Sequence, residues 1–451
     1  MSATSNVSAA ALGRPTPAFL TTRLSIMMFL EFAVWGVWSV LLGKHMEHLG
    51  FSGKEISLVY LTTALGAMLS PLVAGWIADR FMPNQVFTGL VHLIGAVLLF
   101  VAWPLREFKP MFFALLAYAV LYMPTIALTN AIAFYHMKDS RKFGNVRVWG
   151  TIGWIIVNWC FSLYLITCAG TSLGFQASGA HFSLSWEGLA PAEWRVGDAL
   201  AAAAIVSLLM GVYCFTLPNT PPSKQAKNPY AFLEAIKLIA NRNFAVLLVI
   251  SFVVAIELPF YYSFTNIFLT DTKAGVGLSP GTANLAMSLG QVAEIALMLL
   301  LAPSLRHLGM RRTIVLGILA WPLRYAVFAI GHPTWLVVAA QGLHGICYSF
   351  FFAGGMIAVE RLCHKDIRAS AQGLMVFATN GVGMLVGNLI SGQLYDAFIK
   401  AGVAHAWPKF FVVPIAVTVL GAVAFALLFS ERRFQQDSQR VEQEDRLPAT
   451  A

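Results

Sequence analysis

Four short stretches of the chain carry side chains able to grip a polar solute. In FGNVRVWGTIGWI (143–155), Arg147, Thr151 and Trp154 stand at i, i+4 and i+7, so on a helix they share one face. In NLAMSLGQVAEIALMLL, Gln291 and Glu294 are three apart. An amide that donates beside a carboxylate that accepts can hold vicinal hydroxyls. The same two groups would equally serve an interhelical contact, with Glu294 neutralising Arg147 or Arg324. VVAIELPFYYSFTNIFL carries Glu257, Pro259, Tyr261, Tyr262 and Asn266. Pro259 lacks a backbone donor and predicts a kink, while Tyr262 and Asn266 lie one turn apart, facing a ligand or a neighbouring helix. QGLHGICYSFFFAGG sets His344, Tyr348 and Phe352 on one stripe, which either packs a core or stacks a planar ligand.

The elements that position these residues follow from composition. The 451 residues are 58% hydrophobic and 11% charged, with mean hydropathy +0.70. Soluble domains carry about 25% charged residues, so the balance is that of an all-α membrane protein. Apolar runs of the length a bilayer demands occur six times between residues 24 and 217 and six times between 243 and 430. Twelve transmembrane helices in two six-helix bundles are expected. Residues 1–23 read as a disordered amino-terminal segment, 218–242 as a linker with a short surface helix, and 431–451 as a tail. The first run has no small-residue cleavage pattern and is expected to be a membrane helix, not a removable signal. Of the 30 Lys and Arg, 21 fall in the termini and even-numbered loops, 8 in the opposite loops and one, Arg324, inside a span. That asymmetry places both termini in the cytoplasm and explains the formal charge of +9 without nucleic acid.

Ionisable side chains inside spans are costly and face the bundle interior. Glu31, Glu257 and Glu294 are therefore candidates for proton coupling, since burial favours the protonated form of a carboxylate. Asp396 lies near a span end, where capping is its expected role, and His364 lies in a basic loop, where solvation is. The five cysteines include no C-x-x-C pair, so neither a metal nor a disulfide framework is expected. H-E-x-x-H, G-x-S-x-G and P-loop patterns are absent, which argues against an enzyme or an ATP-driven pump. No cofactor is expected.

Gly75, Asp79 and Arg80 in GWIADRFMPNQ resemble the opening of the major facilitator loop signature. Arg306, Gly309, Arg311 and Arg312 in APSLRHLGMRR resemble its basic half. More specifically, FLEFAVWGVWSVLLG, AYAVLYMPTIALTNAIAFYH, RVWGTIGWI and IRASAQGLMVFATNGVGMLVG look like the nucleoside:proton symporter family of the major facilitator superfamily. The resemblance runs from about Leu24 to Leu428. It implies the major facilitator fold, a midplane site between the bundles, and import of nucleosides with protons across the bacterial inner membrane by alternating access. The partners it implies are a nucleoside, a proton and the lipid bilayer, with the carrier a monomer. It carries binding roles to Arg147 and Thr151, to Trp154 where the family has phenylalanine, to Gln291 and Glu294 on ribose hydroxyls, and to Tyr348 as a base-stacking ring in place of phenylalanine. Ser349 stands where family members carry an aspartate, and Pro259 and Tyr262 where they carry glutamine and asparagine. Those departures leave open another polyhydroxylated solute, or export.

Overall fold

In the computed structural model, residues 19–73, 82–137, 143–168, 176–177, 180–181, 195–221, 236–364 and 367–445 are described. Gly75, Asp79 and Arg80, the amino-terminal residues 1–18 and most of the expected linker lie outside them. Among the described residues the structure is helical apart from a two-residue antiparallel pairing of Gln176–Ala177 with Ala180–His181.

Helices appear at all twelve expected places. In chain order they are α1 (Leu20–His48), α2 (Gly53–Val73), α3 (Asn84–Ala102), α4 (Phe108–His136), α5 (Phe143–Cys168) and α6 (Asp198–Cys214). There follow α7 (Arg242–Thr270), α8 (Pro280–His307), α9 (Gly309–Ile330), α10 (Thr334–Leu362), α11 (Ser370–Lys400) and α12 (Ala406–Leu428). Ten of these are long and apolar enough to cross a membrane; the others are α2, with 21 residues, and α6, with 17. A thirteenth helix, α13 (Glu431–Glu444), is polar and starts on a Ser430 cap.

The described residues pack as two units. One falls within Met1–Leu49 and Leu65–Gln225, the other within Gly50–Ala64 and Ala226–Ala451, so α2 is shared. Each unit is built as lipid demands. Long apolar side chains such as Leu299, Leu420 and Leu427 face outward, while Glu31, His92, Asn158, Glu257, Asn266 and Arg324 are buried. In the first unit, α1 and α5 approach closely because α5 offers glycines. A Cβ at Gly150 would come 2.6 Å from the Phe32 ring and 2.7 Å from the Arg147 guanidinium, so a side chain there would displace both.

In the second unit, α7 breaks where Pro259 predicts. Its segments are Arg242–Ala255, Leu258–Tyr262 and Thr265–Thr270, with Pro259 in the first turn of the middle one. Proline cannot donate back across the break, and Glu257 sits at it. Helix α10 widens to π geometry over Cys347–Ala353, and α11 does so over Phe377–Gly383 and Tyr395–Lys400. Such widenings recur at functional positions because they re-aim side chains; here one carries Tyr348 and Ser349.

Candidate solute and proton sites

In the first unit, Arg147 sits on α5 with its guanidinium carbon 3.9 Å from the centre of the Phe32 ring on α1. Among the described residues it forms no ion pair. Trp154, two turns on, meets Trp35 edge to face at 5.6 Å, and Trp35 meets Tyr122 at 6.4 Å. Arg147, Thr151, Trp154 and Trp35 are all half-buried, with surface left for a solute. In the same unit Glu31 is 0% exposed and His92 1%. Glu31 Oε2 lies 3.0 Å from His92 Nε2, Thr125 Oγ1 lies 2.7 Å from Glu31 Oε1, and the Tyr122 hydroxyl donates to the Glu31 carbonyl at 2.8 Å. Ser207 closes the cluster from α6, 3.1 Å from His92 Nδ1.

In the second unit, Glu257 and Arg324 are both fully buried and lie 3.7 Å apart, with the Tyr325 hydroxyl also donating to Glu257. Arg324 therefore pairs with Glu257. Its Nη1 lies 3.3 Å from His344 Nδ1. A guanidinium can only donate, so Nδ1 accepts and His344 is neutral with its hydrogen on Nε2. The His344 ring stacks on Tyr261 at 5.3 Å, and the Tyr261 hydroxyl donates to Gln341 Oε1 at 3.2 Å. From His344 the rings continue to Tyr348 at 6.4 Å and Phe352 at 5.9 Å from Tyr348. The stripe read from the sequence is thus a real row of rings.

Tyr262, Glu294 and Tyr348 are half-buried, and the Tyr262 hydroxyl lies in the electrostatic field of the other two. Gln291 is buried one turn before Glu294. Helices α8 and α10 touch backbone to backbone there: a Cβ on Gly345 would come 2.7 Å from the Glu294 nitrogen, and one on Gly290 2.9 Å from His344. Asn266 is fully buried, donating to Met287 Sδ at 3.8 Å, a helix-packing contact. Ser349 is buried and its hydroxyl turns to the Glu294 carbonyl at 3.4 Å.

Outside these clusters, Glu431 of α13 accepts from the Met310 and Arg311 amides at 3.2 and 2.7 Å, capping α9. The Arg311 side chain donates to the Ala426 carbonyl, and Arg312 is exposed. His364 is not merely solvated: its two ring nitrogens lie 3.1 Å from Glu444 and 3.1 Å from Asp445, because α13 folds back over its loop. His92, Trp35, Tyr325 and Gln341 went unnoticed in the sequence. His92 had a signal, being a titratable residue inside an apolar run, as Glu31 was.

The sequence profile of the nucleoside H+ symporter family matches residues 19–433. The chain belongs to that family. Among curated relatives, the putative nucleoside transporter YegT of Escherichia coli is 34% identical over 425 residues, covering 91% of this chain and 94% of the relative. The nucleoside permease NupG of Escherichia coli is 30% identical over 428 residues, with 91% and 96% covered. A crystal structure of the nucleoside transporter NupG superposes with a TM-score of 0.76 at 29% identity, covering 91% of this chain and 99% of that one. A D-xylose–proton symporter structure shares the fold alone, with a TM-score of 0.68 at 14% identity, 92% of this chain and 99% of that one being covered. This symporter therefore has the all-α major facilitator fold.

Proposed function

We propose that the chain imports nucleosides together with protons across the bacterial inner membrane by alternating access. The observation that carries this reading is a family match spanning nearly the whole chain, joined to a half-buried row of hydroxyl-gripping and stacking groups in the second unit. Gln291 donates to, and Glu294 accepts from, the ribose hydroxyls. Tyr348, flanked by His344 and Phe352, stacks the base. Tyr262 adds a hydroxyl, and Arg147, Thr151 and Trp154 are likewise assigned to solute binding. The 21-to-8 distribution of basic residues supports cytoplasmic termini, and the carrier is taken as a monomer without enzymatic activity. Gly75, Asp79, Arg80, Arg311 and Arg312 are assigned to the loops that govern the conformational change. Glu294, Glu257 and Glu31 are the carboxylates available for the proton.

Uptake of radiolabelled uridine and adenosine into proteoliposomes, with and without an imposed proton gradient, tests the reading. Accumulation above the external concentration only with the gradient is the expected result, and its absence for every nucleoside overturns it.

A second reading rests on Pro259 and Ser349. Both are buried, Pro259 has no donor to offer and the Ser349 hydroxyl is turned to a backbone carbonyl, so neither offers a polar group to a solute. A narrower polar set fits another polyhydroxylated solute, or export. A competition panel of nucleosides, bases and free sugars separates the two, since a sugar competing best would decide for the second.

A further inference from the structure

The hydrogen bonds of His92 tie its tautomer to the Ser207 hydroxyl. Ser207 owns one hydroxyl hydrogen, and its Oγ lies 2.8 Å from the His92 carbonyl, which can only accept. With that hydrogen on the carbonyl, Ser207 Oγ is an acceptor toward His92 Nδ1 and Nδ1 carries a hydrogen; with it turned to Nδ1, Nε2 carries the hydrogen and donates to Glu31. The other ring nitrogen, Nε2, faces Glu31 Oε2 at 3.0 Å. In a neutral imidazole hydrogenated on Nδ1, Nε2 presents a lone pair, and a carboxylate oxygen presents another. Two lone pairs at that distance repel. One more proton, on Nε2 or on Oε2, converts the contact into a strong hydrogen bond.

We propose that the Glu31–His92 pair is the seat of the co-transported proton. The proposal rests on the proton-symport reading and adds His92 as the partner that makes Glu31 the carrier.

The surroundings fit that role. The titratable and charged groups facing the pair, among the described residues, are Tyr118 and Tyr122 from α4, Cys214 from α6 and Arg147 from α5. Only Arg147 is charged in its ordinary state, and it is half-buried on the adjoining face, not bonded to the pair. Loaded, the pair has no net charge; unloaded, it carries one negative charge in a fully buried place. An uncompensated buried charge costs several kcal/mol, so the unloaded state favours taking up a proton. Trp35, one turn beyond Glu31, touches both Tyr122 and Trp154, so a change at the pair reaches the solute face through packed rings. One proton is taken from water where the solute enters and returned to water where it leaves; no electron moves. Glu257 is held instead by Arg324 at 3.7 Å and by the Tyr325 hydroxyl.

The test uses full-length wild type, Glu31→Gln and His92→Gln in proteoliposomes containing a pH-sensitive dye. Uridine exchange at equal pH is measured in the same vesicles as gradient-driven accumulation. Each variant should move at least about tenfold fewer protons per uridine than wild type, within the range of ordinary coupling free energies, and its accumulation ratio should fall toward one. Wild-type proton movement per uridine in both variants overturns the assignment. Folded, monodisperse variants that lose exchange as well as coupling make the pair structural, which also overturns it. If the variants do not fold, infrared difference spectra of wild type with isotope-labelled histidine decide. Uridine should change imidazole and carboxyl bands together, and unchanged bands overturn the proposal. Should wild type itself move no proton with uridine, the symport reading falls and this assignment with it. Proton movement that persists in wild type and variants alike sinks the assignment alone.

Discussion

Glu257 and Arg324 illustrate what burial does to a single side chain. Both are 0% exposed, so each charge depends on the other and on Tyr325 and His344. Removing one partner from such a pair typically costs about 3–5 kcal/mol, because the survivor stays charged in a dry place. Glu257→Gln should therefore lower the melting temperature in detergent markedly. The double variant Glu257→Gln, Arg324→Gln should regain part of that loss, as a thermal unfolding series would reveal. Glu294 belongs to a different class, being half-buried and facing the half-buried Tyr262 and Tyr348. Hydrogen bonds to charged groups are worth roughly 1.5–3 kcal/mol. Glu294→Gln is expected to weaken uridine binding by about 10- to 100-fold with little change in melting temperature. Unaltered binding in a competition assay would remove Glu294 from the site. Tyr348→Phe should be nearly silent and Tyr348→Ala should lose about 1–3 kcal/mol of base stacking.

At the scale of elements, the start of α2 is held by a carboxylate from α11. Asp396 accepts from the Gly53 and Lys54 amides at 2.6 and 3.1 Å, two of the donors a helix start leaves without partners. Negative charge at a helix start is also favoured by the helix dipole. Asp396→Ala should cost about 1–2 kcal/mol, the usual worth of a cap, read as a lower melting temperature; no shift would mean that water satisfies those amides as well. Gly53 itself is required for the approach, since a Cβ there would lie 2.5 Å from the Gly392 carbonyl and 2.7 Å from the Tyr395 ring. The sequence could suggest that Asp396 capped something but not which helix, for the partner is 343 residues away. The π widenings were equally hidden. A 3.6-residue repeat places Tyr348 on a stripe with His344 and Phe352, yet an added residue per turn leaves no mark in a uniformly apolar run.

For the molecule as a whole, the family was legible in strings such as RVWGTIGWI, and the helices were legible because lipid imposes long apolar runs and punishes every stray charge. Glu31, Glu257 and Arg324 stood out in the sequence for that reason, and all three are fully buried. What remained illegible was pairing between distant helices. Arg324 finds Glu257 on another helix, and His92 finds Glu31 across 61 residues. Periodicity supplies the face of a helix and never the identity of the neighbour. A carrier coupled to protons should accumulate nucleoside more steeply as the outside is made more acidic at fixed internal pH. Initial uptake rates across an external pH series measure this, and a flat series would argue for uniport.

Helix α13 has a practical bearing on anyone handling this carrier. Glu431 caps α9, Phe434 is buried against Phe429, and His364 and Arg368 grasp Asp445. Glu444, held below the usual carboxylate range first by its hydrogen bond from Arg440, stays ionised until the solution is distinctly acid. A green fluorescent reporter or histidine tag spliced on after Leu428, as a trimming of an apparent polar tail, would uncap α9 and bare two aromatic rings. Yield and monodispersity should suffer, while the same handle placed beyond residue 445 should leave both intact.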